Sequence, residues 1–340
     1  MIQQAIKTLI EGKDLSHEFA CHVMQTIMTG GATPAQIGAF LVAEKLKGET
    51  YQEVAGFAEV MRERATPIAT KHTNHIDMCG TGGDGAGTFN ISTIASFVVA
   101  GGGVPVAKHG NRSVSSKCGS ADLLEELGVN IDLPAPQVSA CLDEIGIAFL
   151  FAPGLHKAMK YAVAPRREIG VRTVFNILGP LTNPARVRRQ VLGVYQPQIA
   201  RLMAEVLREL GSEHVLIIHG LEGLDEVSLK GPTLAVELLH GEISEKYLLP
   251  ESFGFEAAEA DGISGSTPAE NARIALDVLN GKVGAARDIV VVNAACGFVV
   301  GGNASSFLEG AEMGRQSIDS GAALAKLEAL KAFSQEKVHA

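Results

Sequence analysis

The sequence predicts an α/β protein: a small all-helical domain plus a larger α/β domain with a mostly parallel central sheet flanked by helices. Three observations carry this reading. Capped amphipathic segments crowd residues 2 to 65, a strand, helix and strand follow one another over 75 to 109, and the 340 residues are 46% hydrophobic and 20% charged, ordinary proportions for a folded chain. That length suggests about two domains.

Residues 2 to 65 hold three to four short helical patterns with start signals. Thr33-Pro34-Ala35-Gln36 and Thr50-Tyr51-Gln52-Glu53 both fit a capping box, in which the threonine and the residue three positions on satisfy each other's free backbone amides. Pro34 suits a first helical position, and Gly30-Gly31 and Gly48 end the helices before them. An apolar side left on such a bundle would suit dimerisation. His17 and His22 resemble a zinc-binding helix only superficially, because five-residue spacing sets them about 140° apart.

After Pro67 the pattern changes. HIDMC (75 to 79) reads as a strand, NISTIASFVVA (90 to 100) as a helix and VPVAKH (104 to 109) as a second strand, giving a right-handed βαβ unit with parallel strands. ADLLEELG opens another helix closed by Gly128, HVLIIHG (214 to 220) is a buried strand, and SGSTPAENARIALDVLNGK (264 to 282) is a capped helix. RDIVVVNAACGFVVGG (287 to 302) is apolar throughout, and periodicity leaves strand and helix equally open.

Both strands of the βαβ unit run into donor-rich loops. GTGGDGAGTFNIST (80 to 93) lets backbone amides approach an anion and then offers a helix N-terminus. Gly80, Gly82 and Gly85 satisfy GxGxxG, but a dinucleotide fold wants an acidic residue after the second strand, where this chain has Lys108-His109. That charge suits a second phosphate. KHGNRSVSSKCGS (108 to 120) adds Lys108 as a point charge with four serines, while Arg112 fits either a phosphate or a structural ion pair. Asp225-Glu226, shortly after strand 214 to 220, could hold Mg²⁺ beside substrate phosphates or could be a solvated surface pair. Between 153 and 189, eight lysines and arginines face the single acid Glu168, a local excess of +7 in a chain of net charge -9. An anion is expected there, with a solvated face as the alternative.

The acidic total argues against a general affinity for nucleic acid or anionic membrane, and no 18-residue apolar run exists. Five scattered cysteines without CxxC pairing read as reduced thiols, so a cytoplasmic protein is expected.

Five segments, in order along nearly the whole chain, resemble one family. They are DMCGTGGDGAGTFNIST, KHGNRSVSSKCGSADLLEELG, HKAMKYAVAPRREIGVRTVFNILGPLTNPAR, HGLEGLDEVS and STPAENARIALDVLNG. The sequence is similar to the anthranilate phosphoribosyltransferases of tryptophan biosynthesis. The resemblance implies a helical domain of residues 1 to 70, completed by helices within about 155 to 195 and usually dimerising. An α/β domain of 71 to 154 and 196 to 340 would bind the phosphoribosyl donor. It implies transfer from 5-phosphoribosyl 1-diphosphate (PRPP) to the amino group of anthranilate, with Mg²⁺, two ions per monomer, and a homodimer.

Position by position, the resemblance assigns the donor to Gly80, Gly83, Asp84, Thr88, Asn90, Ile91, Ser92 and Thr93. Its second group is Lys108, His109, Gly110, Asn111, Arg112, Ser113, Val114, Ser115, Ser116 and Ser120. The metal would fall to Ser92, Asp225 and Glu226, and anthranilate to Gly80, Asn111, Arg166, His109, His156 and Gly179. Lys108 would act electrostatically, with no covalent nucleophile. Cys118 departs from the family, where serine is common. Two rivals are a pyrimidine nucleoside phosphorylase-like enzyme, which has no call for GTGGD with Asp225-Glu226, and a non-catalytic homologue binding nucleic acid, which would show eroded loops and a basic groove.

Overall fold

A computed structural model describes residues 1–113, 117–258 and 262–336. Helices α1 (Ile2–Ile10), α2 (His17–Met28), α3 (Pro34–Lys47) and α4 (Tyr51–Arg64) come first. Both expected capping boxes are formed: Thr33 with Gln36 begins α3, and Thr50 with Glu53 begins α4. Gly48 ends α3 at φ 90, a conformation that costs glycine little.

Next come β1 (Ile76–Gly80), α5 (Ile91–Gly101), β2 (Val106–Gly110), α6 (Ser120–Glu126), α7 (Ala135–Ile145) and β3 (Ile147–Phe151). The middle of the chain holds α8 (Ala152–Leu155), α9 (Lys160–Ile169) and α10 (Phe175–Leu178). Then follow β4 (Arg189–Gly193), α11 (Gln198–Glu209), β5 (His214–Gly220), β6 (Thr233–Leu239) and β7 (Glu242–Leu248). Helices α12 (Pro268–Leu279), α13 (Ala285–Gly301), α14 (Phe307–Asp319) and α15 (Ala322–Glu336) complete the fold.

The seven strands form one mixed sheet in the order β3-β2-β1-β4-β5-β6-β7. The first five in that order run parallel, and β6 and β7 add an antiparallel edge. Side-chain alternation along a strand divides the core in two. Val215 and Ile217 of β5 join a cluster with the helical bundle and α11, whereas Leu216 and Ile218 join a second cluster with α5 and α13. Helix α9, from the middle of the chain, packs on α2 and α3.

The apolar stretch 287 to 302 forms α13 up to its C-cap at Gly302, and the helix's length and burial on nearly every side explain why no period appeared. The expected helix 264 to 282 is shorter, α12, with Thr267 as its N-cap.

Candidate active site

Because β1, β2, β4 and β5 are parallel, their carboxyl ends and the loops after them share one edge of the sheet. The loop after β5 must pass over β4 to reach the loop after β1. Gly193, the last residue of β4, permits this: a Cβ there would stand 1.7 Å from the carbonyl oxygen of Asp225. The crossing brings Asp225 and Glu226 against the first donor-rich loop. The amide of Gly82 donates to Asp225 Oδ2 at 3.2 Å, the Asp225 amide to Asp84 Oδ2 at 3.4 Å, and the Ser92 amide to Glu226 Oε1 at 3.1 Å. Asn293 of α13 steadies the crossing by accepting from the Val227 amide at 2.9 Å.

The two donor-rich loops are joined. Lys108, buried at the end of β2, donates to the Met78 carbonyl at 2.5 Å and lies 3.5 Å from Ser92 Oγ. Asn90 Nδ2 donates to the Cys118 carbonyl at 3.2 Å and to Asn271 Oδ1 at 3.2 Å. At position 118 the backbone carbonyl makes this link, and the sulfur also accepts from Asn90 Nδ2 at 3.4 Å.

Three acids, Asp84, Asp225 and Glu226, therefore meet beside one buried lysine. Burial first, then the Asp84 carboxylate, raises Asp225 to about 7. Burial and then Asp225 push Glu226 well above the usual carboxylate range. Burial lowers Lys108, against the pull of Asp77, Cys79 and Glu226. The negative charge is undercompensated, which suits a divalent cation held by oxygen ligands.

Other expected residues take different positions. The Arg112 guanidinium is committed to Asp122 and Glu125, donating to Asp122 Oδ1 at 3.1 Å and Glu125 Oε1 at 2.8 Å. Asp122 also accepts from the amides of Ser113 at 3.0 Å and Gly119 at 2.8 Å, which holds the base of the second loop. Thr88 bridges Ser264. Asn111 Oδ1 accepts the Arg112 amide at 2.7 Å, and Ser120 Oγ donates to the Asn111 carbonyl at 3.3 Å. Gly110 must lack a side chain, since a Cβ would stand 2.3 Å from Ser120 Oγ. Val114, Ser115 and Ser116 lie outside the described residues.

His109 and His156 bring their rings to 5.1 Å, and both Nε2 atoms are buried without a partner among the described residues. Burial, and then His156, lowers His109 to about 3, against the Gly179 backbone; burial lowers His156 to about 4. Both rings are neutral at neutral pH. Arg166 stacks on the Phe175 ring at 5.0 Å, and among the described residues its guanidinium has no carboxylate partner.

Sequence reasoning passed over several positioning residues. Buried Asp77 accepts from the His109 amide at 3.2 Å and from Asn183 Nδ2 at 2.8 Å. Arg172 stacks on Tyr195 at 4.4 Å and donates to the Gly83 carbonyl, where Gly83 adopts φ +78 and a Cβ would stand 2.7 Å from Arg172 Nη2. A lone acid in an apolar strand was the available signal for Asp77. For Arg172 no signal set it apart from seven neighbouring cations.

A helical bundle joined to a largely parallel sheet, with two amide-rich loops and a carboxylate cluster at its carboxyl edge, defines a two-domain glycosyl transferase. Residues 3–65 match the family description "Glycosyl transferase family, helical bundle domain", and residues 72–324 match "Glycosyl transferase family, a/b domain". A curated anthranilate phosphoribosyltransferase from Pelotomaculum thermopropionicum is 57% identical over 334 residues, 98% of this chain and 97% of the relative. The crystal structure of the anthranilate phosphoribosyltransferase from Thermus thermophilus superposes with a TM-score of 0.92 at 43% identity, covering 97% of this chain and 99% of that one. The Saccharomyces cerevisiae enzyme in complex with PRPP and Mg gives 0.91 at 28% identity, covering 98% of each chain. The same yeast enzyme in complex with 4-fluoroanthranilate gives 0.88 at 27%, again covering 98% of each. The chain belongs to the anthranilate phosphoribosyltransferase family.

Proposed function

We propose that this transferase moves the phosphoribosyl group of PRPP to the amino group of anthranilate, giving N-(5-phosphoribosyl)anthranilate and diphosphate. This would be the second step of tryptophan synthesis from chorismate, in the cytoplasm. One observation carries the reading: the loops after β1 and β2 meet through Lys108, Ser92 and Asn90, directly beside the carboxylates of Asp225 and Glu226.

Breaking the bond from ribose C1 to diphosphate builds positive charge on the sugar and negative charge on the leaving group. The matching catalyst is preorganised positive charge at the departing oxygens. Lys108 and the amides of residues 80 to 93 face that charge, and the second loop, residues 108 to 116 with Ser120, would complete the grip. Magnesium, two ions per monomer held by Ser92, Asp225 and Glu226 with Asp84 beside them, would neutralise the diphosphate. No side chain acts as a nucleophile. The amine attacks C1 from the face opposite the diphosphate and inverts it, so positioning supplies much of the rate.

Arg166 orients anthranilate by donating two parallel hydrogen bonds to its carboxylate, with Asn111, Gly179 and the neutral rings of His109 and His156 around the ring system. No helix among the described residues is long and apolar enough to cross a membrane. Ile10 of α1 and Leu46 of α3, 73% and 82% exposed, support pairing of two copies through the helical domain.

The test mixes protein, anthranilate, PRPP and Mg²⁺ and follows anthranilate fluorescence. Loss of fluorescence that needs both PRPP and Mg²⁺ supports the reading. No loss, or phosphorolysis of a pyrimidine nucleoside by inorganic phosphate instead, would refute it.

A further inference from the structure

The helical domain carries a cluster that phosphoribosyl transfer does not use. Helical geometry separates His17 from His22, but Cys21 stands four residues after His17, about 40° round the axis and one turn along the same face. In the structure His17 Nδ1 lies 3.8 Å from Cys21 Sγ, and His17 Nε2 lies 3.2 Å from Glu59 Oε2 on α4. One ligand atom from each of the three residues falls within 4.8 Å of the others.

Two further features converge on the same place. Helices α2 and α4 close tightly there because position 56 is glycine: a Cβ would stand 2.7 Å from the His17 carbonyl and 3.2 Å from the Cys21 amide. The seam is also electronegative. The carboxylates of Glu59, Glu63 and Glu18 all bear on the Cys21 sulfur, and among the described residues none of the three is paired with a lysine or arginine.

We propose that His17, Cys21 and Glu59 form a binding site for a borderline divalent metal, Zn²⁺ foremost, that pins α2 to α4. Imidazole, thiolate and carboxylate are a zinc ligand set, whereas Mg²⁺ asks for an octahedron of oxygens, so this site is chemically distinct from the cluster at Asp84, Asp225 and Glu226. Ligand atoms around a tetrahedral zinc stand about 3.5 Å apart, so closure takes only rotation of side chains. Those of His17 and Glu59 are 36% and 49% exposed, which leaves them room to turn and the ion a way in. Water fills the fourth position, and Cys21 gives up its proton to solvent as the metal binds.

Cobalt(II) is the probe, titrated into the metal-free full-length protein in excess Mg²⁺, which occupies the oxygen site. The expected result is one equivalent bound with a thiolate-to-cobalt charge-transfer band that Zn²⁺ bleaches. Cys21→Ser should abolish the band, and His17→Gln should weaken binding by at least about tenfold. Zn²⁺ should raise the unfolding temperature of the parent protein but not of Cys21→Ser, with Mg²⁺-supported transfer the same in both. Absence of the band would leave His17 and Glu59 as a simple surface pair. A band that survives Cys21→Ser would move the metal to another thiol; either result overturns the proposal.

Discussion

The backbone amide of Ser92 donates to Glu226 Oε1 at 3.1 Å although 134 positions separate the two residues. The amide belongs to the first turn of α5, where free N–H groups and the helix dipole favour negative charge. Glu226 thus lies beside the donor-rich loop and the lysine expected to meet the diphosphate, within an acidic group that lacks enough positive charge.

Replacing both acids, Asp225→Ala with Glu226→Ala, should therefore lower Mg²⁺-supported turnover by at least about a hundredfold. Metal-free thermal unfolding should stay at or above that of the parent, because the deleted carboxylates are ones that burial disfavours. Full turnover at ordinary Mg²⁺ would reduce the pair to a structural one.

Arg166→Ala removes a guanidinium that makes no ion pair among the described residues, so its effect should fall on the acceptor. A charge-assisted hydrogen bond contributes about 1.5 to 3 kcal/mol, which corresponds to a loss of about ten- to a hundredfold in kcat/KM for anthranilate. Calorimetric affinity for PRPP with Mg²⁺ should be unchanged. Equal losses for both substrates, or none for either, would contradict the assignment.

Arg172→Lys keeps the charge but loses the planar group that both stacks on Tyr195 and donates to the Gly83 carbonyl. The expected result is a rise of about three- to tenfold in KM for PRPP at saturating anthranilate, with little change in kcat. Guanidinium ion should partly restore donor affinity to Arg172→Ala. If neither variant shifts donor affinity, the tether to Gly83 is dispensable.

A pH effect should arise away from the site. Glu44 in α3 is fully buried, and neither carboxylate oxygen has a partner among the described residues. Burial first, and then the neighbouring Glu53 carboxylate, raise it from 4.5 to about 8. The folded value lies above the unfolded one, so protonated Glu44 contributes its full stability below the lower value and loses it as pH rises through the higher. Glu44→Gln should therefore match the parent only near about pH 4, below the ordinary carboxylate value, and unfold at an increasingly higher temperature than the parent as the pH rises toward about 9. A difference that stays constant with pH would count against a neutral Glu44.

By itself the sequence determined what is settled within a few residues: the capping boxes at Thr33 and Thr50, the βαβ unit, and the donor-rich character of the loops at 80 to 93 and 108 to 120. A cap or a glycine turn closes over three or four positions, so local geometry is enough to specify it. Only the tertiary structure decided which charges meet. Asp225-Glu226 reads as an ordinary surface dipeptide until Gly193 lets its loop cross β4, and nothing local to Arg112 announces that Asp122 and Glu125 of α6 pair with it. Nor could α13 declare itself, because a helix buried on nearly every side has no polar face to set a period. Like-charged side chains look the same along the chain, and their roles depend on partners delivered from a hundred or more positions away.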